Sequence, residues 1–115
     1  MRKSGILMHI SSLPSRFGIG RMGKAAYDFV DFLRESETAC WQILPLSPTS
    51  YGDSPYQSFS VNAGNPYFID FLTLEEQGLL THEDYASLLW QRSGDSVDYE
   101  LLYRNNITVL RRAFM

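Results

Sequence analysis

Cysteine is nearly absent from this chain: Cys40 is the only one in 115 residues, and there are just two histidines, His9 and His82. A single thiol excludes an intramolecular disulfide and a cysteine-based metal cluster, and beside Trp41 it reads as a small buried residue. The histidines have no metal-ligand spacing. Positive charge is also in short supply. Ten Lys and Arg against thirteen Asp and Glu give a formal net charge of -3, with the basic residues scattered, which argues against nucleic acid as a partner. Long apolar runs are missing too. Arg2 and Lys3 before Gly5-Ile-Leu-Met imitate a signal-peptide start, but His9 and Ser11-Ser12 interrupt the segment early, no small-residue cleavage pattern follows, and nothing approaches a membrane span. There is no repeat and no low-complexity tract. These absences predict a reducing, cytoplasmic setting, with no membrane, no cofactor and no catalytic metal.

What is present reads as one soluble α/β unit, 44% hydrophobic and large enough to bury a core. Residues 5–10 (GILMHI) are apolar on both faces, as expected of a strand in a parallel sheet covered by helices. After a loop at 11–23, helical spacing runs over 24–35, with Ala26, Phe29, Val30 and Leu33 on one face. A second strand over about 40–45, ended by Pro45, completes a strand, helix, strand unit. Residues 67–72 form a third apolar patch, either a short strand or an ordered connection. Thr73 with Glu76, and Thr81 with Asp84, then read as capping boxes that open short helices, the second carrying Leu88, Leu89 and Trp90. Beyond a polar break at 91–97, Tyr103, Ile107, Leu110 and Phe114 fall on one stripe of a final helix. No stop signal follows Phe114, so the chain is expected to be part of a longer one.

The most informative stretch is Trp41 to Pro66. Trp41 itself belongs to the core, but Tyr51, Tyr56 and Phe59 then alternate with Asp53, Ser54, Gln57, Ser58 and Asn62, placing flat apolar faces beside hydrogen-bonding groups. A pyranose ring has the same two kinds of surface. A loop of this length inside a compact domain is functional or disordered, and the aromatics argue for function. Asp53 after Gly52 has a simpler reading as a turn former, and Asn65 before Pro66 as the residue that fixes the return. His9, at the end of the first strand, is a core or supporting group, and His82 a surface residue at a helix start. Gly18, Gly20 and Gly23 spell the dinucleotide fingerprint G-x-G-x-x-G. However, Ser11 to Phe17 separate it from the strand, and the second strand carries no acidic residue for a ribose. Tight turning into the helix is the alternative use of these glycines.

The segments SGILMHISSLPSRFGIG, WQILPLSPTSYGDSPYQSFSVNAGNP and DYELLYRNN resemble the N-terminal part of the 4-alpha-glucanotransferases called amylomaltase or disproportionating enzyme, glycoside hydrolase family 77. The resemblance covers nearly the whole chain and is weakest over 75–97. It implies that residues 1–115 are the N-terminal portion of a (β/α)8 TIM barrel, incomplete here and without a separate second domain. It further implies transfer of α-1,4-glucan segments between maltodextrins, or to glucose, with retained configuration. The partners are then α-1,4-glucans and glucose. Two carboxyl groups do that chemistry, and the resemblance puts them on later strands, outside this chain, which alone is expected to be inactive. By the same resemblance Tyr56 stacks on the sugar at the cleavage point, while Tyr51 and Tyr103 belong to a second glucan contact. Asp53, Ser54 and Gln57 are placed near the cleft by proximity. The alternative is a small glucan-binding module or remnant without chemistry.

Overall fold

The computed structural model describes residues 2–49, 53–56, 58–60, 62–92 and 96–115. Strand β1 (Gly5–Leu7) pairs in parallel with β2 (Cys40–Gln42), Ile6 lying opposite Trp41. Helix α1 (Lys24–Glu35) connects them, which makes the strand, helix, strand unit that the sequence predicts. Three short helical elements follow β2: a 3-10 turn at Pro66–Phe68, α2 (Phe71–Glu76) and α3 (Glu83–Ala86). The long helix α4 (Tyr99–Phe114) comes last. The fold is α/β, the first portion of a (β/α)8 barrel.

Both strands are shorter than expected. Residues 8–10 leave the first one because His9 and Ile10 turn into a 3-10 element at Ile10–Ser12, and Ile10 is buried with the loop rather than with the sheet. Cys40 is exposed, not buried. Alternation along β2 explains the difference: Trp41 turns toward α1, where it meets Phe29 edge-on at 4.7 Å and donates from Nε1 to the Met8 carbonyl at 2.6 Å. Cys40 therefore points to the opposite face, beside Gly5. Leu7 is also exposed, so the sheet is not covered on both faces as the apolar pattern predicts.

The main core lies beside the sheet. Ile10, Leu13, Phe17 and Ile19, all from the β1–α1 loop, pack with Phe68, Phe71, Leu80, Tyr85, Trp90, Leu102 and Val109. Within it, Phe17 stands edge-on to Tyr85 and Trp90, with ring centroids 5.1 Å and 5.9 Å away. Of the α1 face predicted for burial only Leu33 is fully buried, while Val30 is half exposed.

The three fingerprint glycines serve this packing. A β-carbon on Gly20 would lie 1.9 Å from the Ile10 carbonyl, one on Gly18 2.6 Å from that of Trp90, and one on Gly23 2.5 Å from Asp70 Cγ. The Asp70 carboxylate thus occupies the N-terminus of α1, where a pyrophosphate would sit in a dinucleotide site.

Asp70 also corrects a capping assignment. Its carboxylate accepts from Thr73 N–H at 3.0 Å and from the Thr73 hydroxyl at 2.8 Å, so α2 starts two residues before Thr73 and not after it. The other pair forms only half of its box: Asp84 accepts from Thr81 N–H at 2.8 Å, while α3 begins after His82 without a side-chain cap. Helix α3 stops at Ala86, which leaves Leu88, Leu89 and Trp90 in the connection beyond it.

Helix α4 is rotated relative to its apolar stripe. The apolar stripe holds Tyr103, 73% exposed, and Phe114, 93% exposed; the buried positions are Leu101, Leu102, Asn106 and Val109. Arg21 explains the choice. This residue is 2% exposed, with its guanidinium 4.2 Å above the Phe71 ring. Nη1 donates to Asn106 Oδ1 and to the Ile69 carbonyl, both at 2.9 Å, and Nη2 to the Phe17 carbonyl at 3.0 Å. Burial lowers its pKa to about 9, against the opposing pull of Asp70, and it remains a cation at neutral pH.

Candidate functional site

A cleft of about 840 Å3 lies between α4 and residues within and just after the aromatic loop. Tyr67, Tyr99 and Tyr103 supply ring faces, Pro48, Phe59 and Ile107 further apolar surface, and Thr49, Asp53, Asn65 and Asn106 hydrogen-bonding groups. Glu100, Arg104 and Arg111 also line it.

Each wall has a local cause. Asn65 fixes the return of the loop: its N–H donates to the Leu46 carbonyl at 2.7 Å and its Oδ1 accepts from Tyr67 N–H at 2.9 Å, which orients Tyr67. Asn106 Nδ2 holds the Pro66 carbonyl of the same turn at 3.3 Å. Asp98 caps α4 by accepting from Leu101 N–H at 3.2 Å, setting the start of the helix so that Tyr99 and Tyr103, four residues apart, share a face. Asp53 sits at φ +55°, in the left-handed region that Asp tolerates better than most residues, and its Oδ1 accepts from the Thr49 hydroxyl at 2.9 Å.

Tyr67 and Tyr99 are half-buried, their ring centroids 6.4 Å apart. Burial raises the pKa of both phenols, and the Asp53 carboxylate pushes the same way. They stay protonated donors at neutral pH, which suits a ligand whose own hydroxyls are uncharged.

A smaller hollow of about 180 Å3 adjoins the cleft and has Thr49, Asp53, Asn65, Tyr67 and Tyr99 as common walls. His9 lines it. Its Nδ1 accepts from Leu44 N–H at 3.2 Å and its ring stands edge-on to Phe68, so it is a supporting group. Burial lowers its pKa below the ordinary 6.5, and the folded protein holds the neutral imidazole. The unfolded chain binds that proton more readily. The contribution of His9 to stability is therefore complete above pH 6.5 and is lost as pH falls through 6.5 toward the lower folded value. We expect the wild type to lose stability from neutral to mildly acidic pH more steeply than His9→Asn, in thermal melts across that range. Parallel curves would remove His9 from the titration.

Of the residues proposed from sequence, the structure brings Asp53 and Tyr103 to the same cleft. Tyr56 is 72% exposed and outside the walls of both hollows; its N–H donates to Ser54 Oγ at 3.3 Å. Tyr51 and Gln57 lie outside the described residues. Sequence reasoning passed over Tyr67 and Tyr99. The i, i+4 spacing of Tyr99 and Tyr103 was the available signal for the second of them. Among the described residues no group of three His, Cys, Asp or Glu side chains could hold a metal ion, and no helix is long and apolar enough to cross a membrane.

The chain is similar to known proteins over nearly its whole length. The chain is 54% identical over 112 residues to a 4-alpha-glucanotransferase of Streptococcus pneumoniae, and 52% identical over 108 residues to one of Clostridium butyricum. These matches cover 97% and 94% of the chain but 22% of each relative, so the chain spans less than a quarter of their length. Its structure superimposes on an amylomaltase from Streptococcus agalactiae in complex with acarbose with a TM-score of 0.95 and 49% identity, over 99% of this chain and 23% of the other. Residues 8–115 match the family model described as 4-alpha-glucanotransferase. The chain belongs to that family, glycoside hydrolase family 77.

Proposed function

We propose that the protein carrying this chain is a cytoplasmic 4-alpha-glucanotransferase, which moves α-1,4-glucan segments between maltodextrins, or onto glucose, with retained configuration. The chain supplies glucan-contacting walls within a single catalytic barrel. The observation that carries this reading is the cleft itself, where three tyrosine faces and the polar groups of Thr49, Asp53 and Asn65 surround a space large enough for several sugar rings. Family membership and the relatives' names support it.

Retaining transfer uses two carboxyl groups about 5 Å apart, one attacking the anomeric carbon and one protonating the leaving oxygen. The covalent glycosyl-enzyme is then opened by a sugar hydroxyl, whose proton passes to the second group, now a base. Transfer wins over hydrolysis when an acceptor glucan is held in place of water. Aromatic walls provide that advantage by stacking on the sugar's apolar face, and neutral phenols by donating to its oxygens. In this scheme Tyr56 stacks beside the cleavage point. Tyr51 and Tyr103 hold glucan farther away, and Asp53, Ser54 and Gln57 orient hydroxyls near the cleft.

Purified full-length protein incubated with maltotriose is expected to yield glucose together with maltodextrins longer than the substrate. Glucose and maltose alone would identify a hydrolase, and no products would reject the reading. Tyr103→Ala is expected to weaken maltodextrin binding about fivefold in calorimetry, the equivalent of ~1 kcal/mol for a lost aromatic contact. Unchanged affinity would take Tyr103 out of the site.

A further inference from the structure

Past the last strand pair, Leu7 with Gln42, the bonding between the two strands continues in an altered form. Met8 N–H donates to the Gln42 carbonyl at 3.0 Å. In a regular parallel ladder the next bond would run from Leu44 N–H to the Met8 carbonyl. That carbonyl is taken by Trp41 Nε1 at 2.6 Å, and the backbone of the first strand has turned into the 3-10 element at Ile10–Ser12. Leu44 N–H donates instead to His9 Nδ1 at 3.2 Å. An imidazole nitrogen thus stands in for a main-chain carbonyl at the end of the sheet.

The neck of the aromatic loop depends on this bond. Pro45 comes next and has no N–H to add to the ladder. At the other side of the neck, Asn65 N–H donates to the Leu46 carbonyl at 2.7 Å. Between these two ties the chain carries Asp53, Ser54, Tyr56 and Phe59. The imidazole is itself held by Phe68, whose ring meets it edge-on at 5.3 Å. With Nδ1 accepting, the proton of the neutral ring is on Nε2. Among the described residues, the titratable groups that share the small hollow with His9 are Asp53 of the loop, Tyr67 of the 66–68 turn and Tyr99 of α4. Both phenols are neutral, and the Asp53 carboxylate favours an imidazolium that burial disfavours; burial prevails.

We propose that His9 is a positioning residue for glucan transfer: through Nδ1 and Leu44 N–H it fixes the entry of the glucan-contacting loop against β1, and that placement is lost when Nδ1 takes a proton. The proposal rests on the glucanotransferase reading above. Protonation would set two N–H donors face to face, so the bond breaks as pH falls through the folded value, which lies below 6.5.

The test measures kcat/KM of the full-length protein on maltotriose between about pH 7.5 and 5.0, for the wild type, His9→Asn and His9→Leu. Asparagine places Oδ1 where Nδ1 stood and does not titrate; leucine has nearly the same shape and no acceptor. Thermal melts at each pH show that the proteins compared are folded at the assay temperature. At the upper pH, His9→Asn is expected to stay within about threefold of the wild type and His9→Leu to fall about tenfold, the scale of one unmet main-chain donor. Toward the lower pH, the ratio of wild type to His9→Asn should drop by about threefold, while the acid limb of the catalytic carboxyl groups is common to both and cancels. Equal activities of the Asn and Leu variants, or a ratio constant across the range, overturn the proposal and leave the glucanotransferase reading standing. If His9→Leu does not fold, the pH dependence of the ratio decides alone. A wild type that forms no products overturns both.

Discussion

Gly20→Ala is expected to lower stability by ~4 kcal/mol or more, or to abolish soluble expression. The β-carbon would stand 1.9 Å from the Ile10 carbonyl oxygen, 2.7 Å from Leu13 N and 2.9 Å from Leu13 O. All three atoms are backbone, so no side-chain rotation can make room. Relief requires moving Gly20 away from the 3-10 turn at Ile10–Ser12 within the same β1–α1 loop, which displaces Ile10, Leu13, Phe17 and Ile19, the residues that build one side of the core. Gly64→Ala is the matched control, since nothing lies within 4 Å of a β-carbon there. It should change stability by no more than about 0.5 kcal/mol, as open surface positions do. Denaturant unfolding of the two variants settles the point: coincident transitions would show that the close approach at Gly20 is not a constraint.

Arg21→Met is the second change with a large expected effect. Methionine can fill the space over Phe71, but it leaves the Phe17 and Ile69 carbonyls and Asn106 Oδ1 without the donors they now have. A buried acceptor left unmet costs on the order of 1–3 kcal/mol, and removal of a desolvated cation gives part of that back. A net loss of ~3 kcal/mol is the expected balance. Asn106→Leu should also destabilise, because the guanidinium then loses one of its acceptors. The double variant tests the pairing: its loss should fall short of the sum of the single losses by more than about 1 kcal/mol. Additive losses would mean that the two side chains act independently.

Arg21 and Asn106 also show where local sequence patterns stop being informative. The bounds of α1 follow from sequence because 12 residues of helical spacing repeat one pattern three times. Three-residue strands and four-residue helices offer no such repetition, and single neighbouring residues decide their ends: the Ile10 turn closes β1 early, and Asp70 starts α2. On α4 the apolar stripe is not the face that is fully buried. The buried stripe contains an asparagine, which is inside because an arginine from the other end of the chain meets it there. No periodicity within the helix records that.

The candidate site divides in the same way. Alternating aromatic and polar residues mark the loop, and its Asp53 and Phe59 do line the cleft, together with Tyr103 of α4. Tyr67 belongs to an apolar patch in sequence and Tyr99 to a helix start, so neither stands out until the Asn65 turn and the Asp98 cap bring them together. Trp41, the loop's first aromatic, lies against α1, as expected of a core residue.

The Arg21–Asn106 hydrogen bond spans 85 residues, and its separation has a consequence for biosynthesis. At translation rates of about 5–20 residues per second, roughly 4 to 17 s pass between synthesis of the arginine and synthesis of its acceptor. Throughout that interval the nascent chain carries Phe17 and later Phe71 and Trp90 around a guanidinium that cannot yet be fully satisfied. The aromatic cluster therefore closes late, after α4 has begun to emerge from the ribosome, and the β1–α1 loop that carries Arg21 takes its final shape only then.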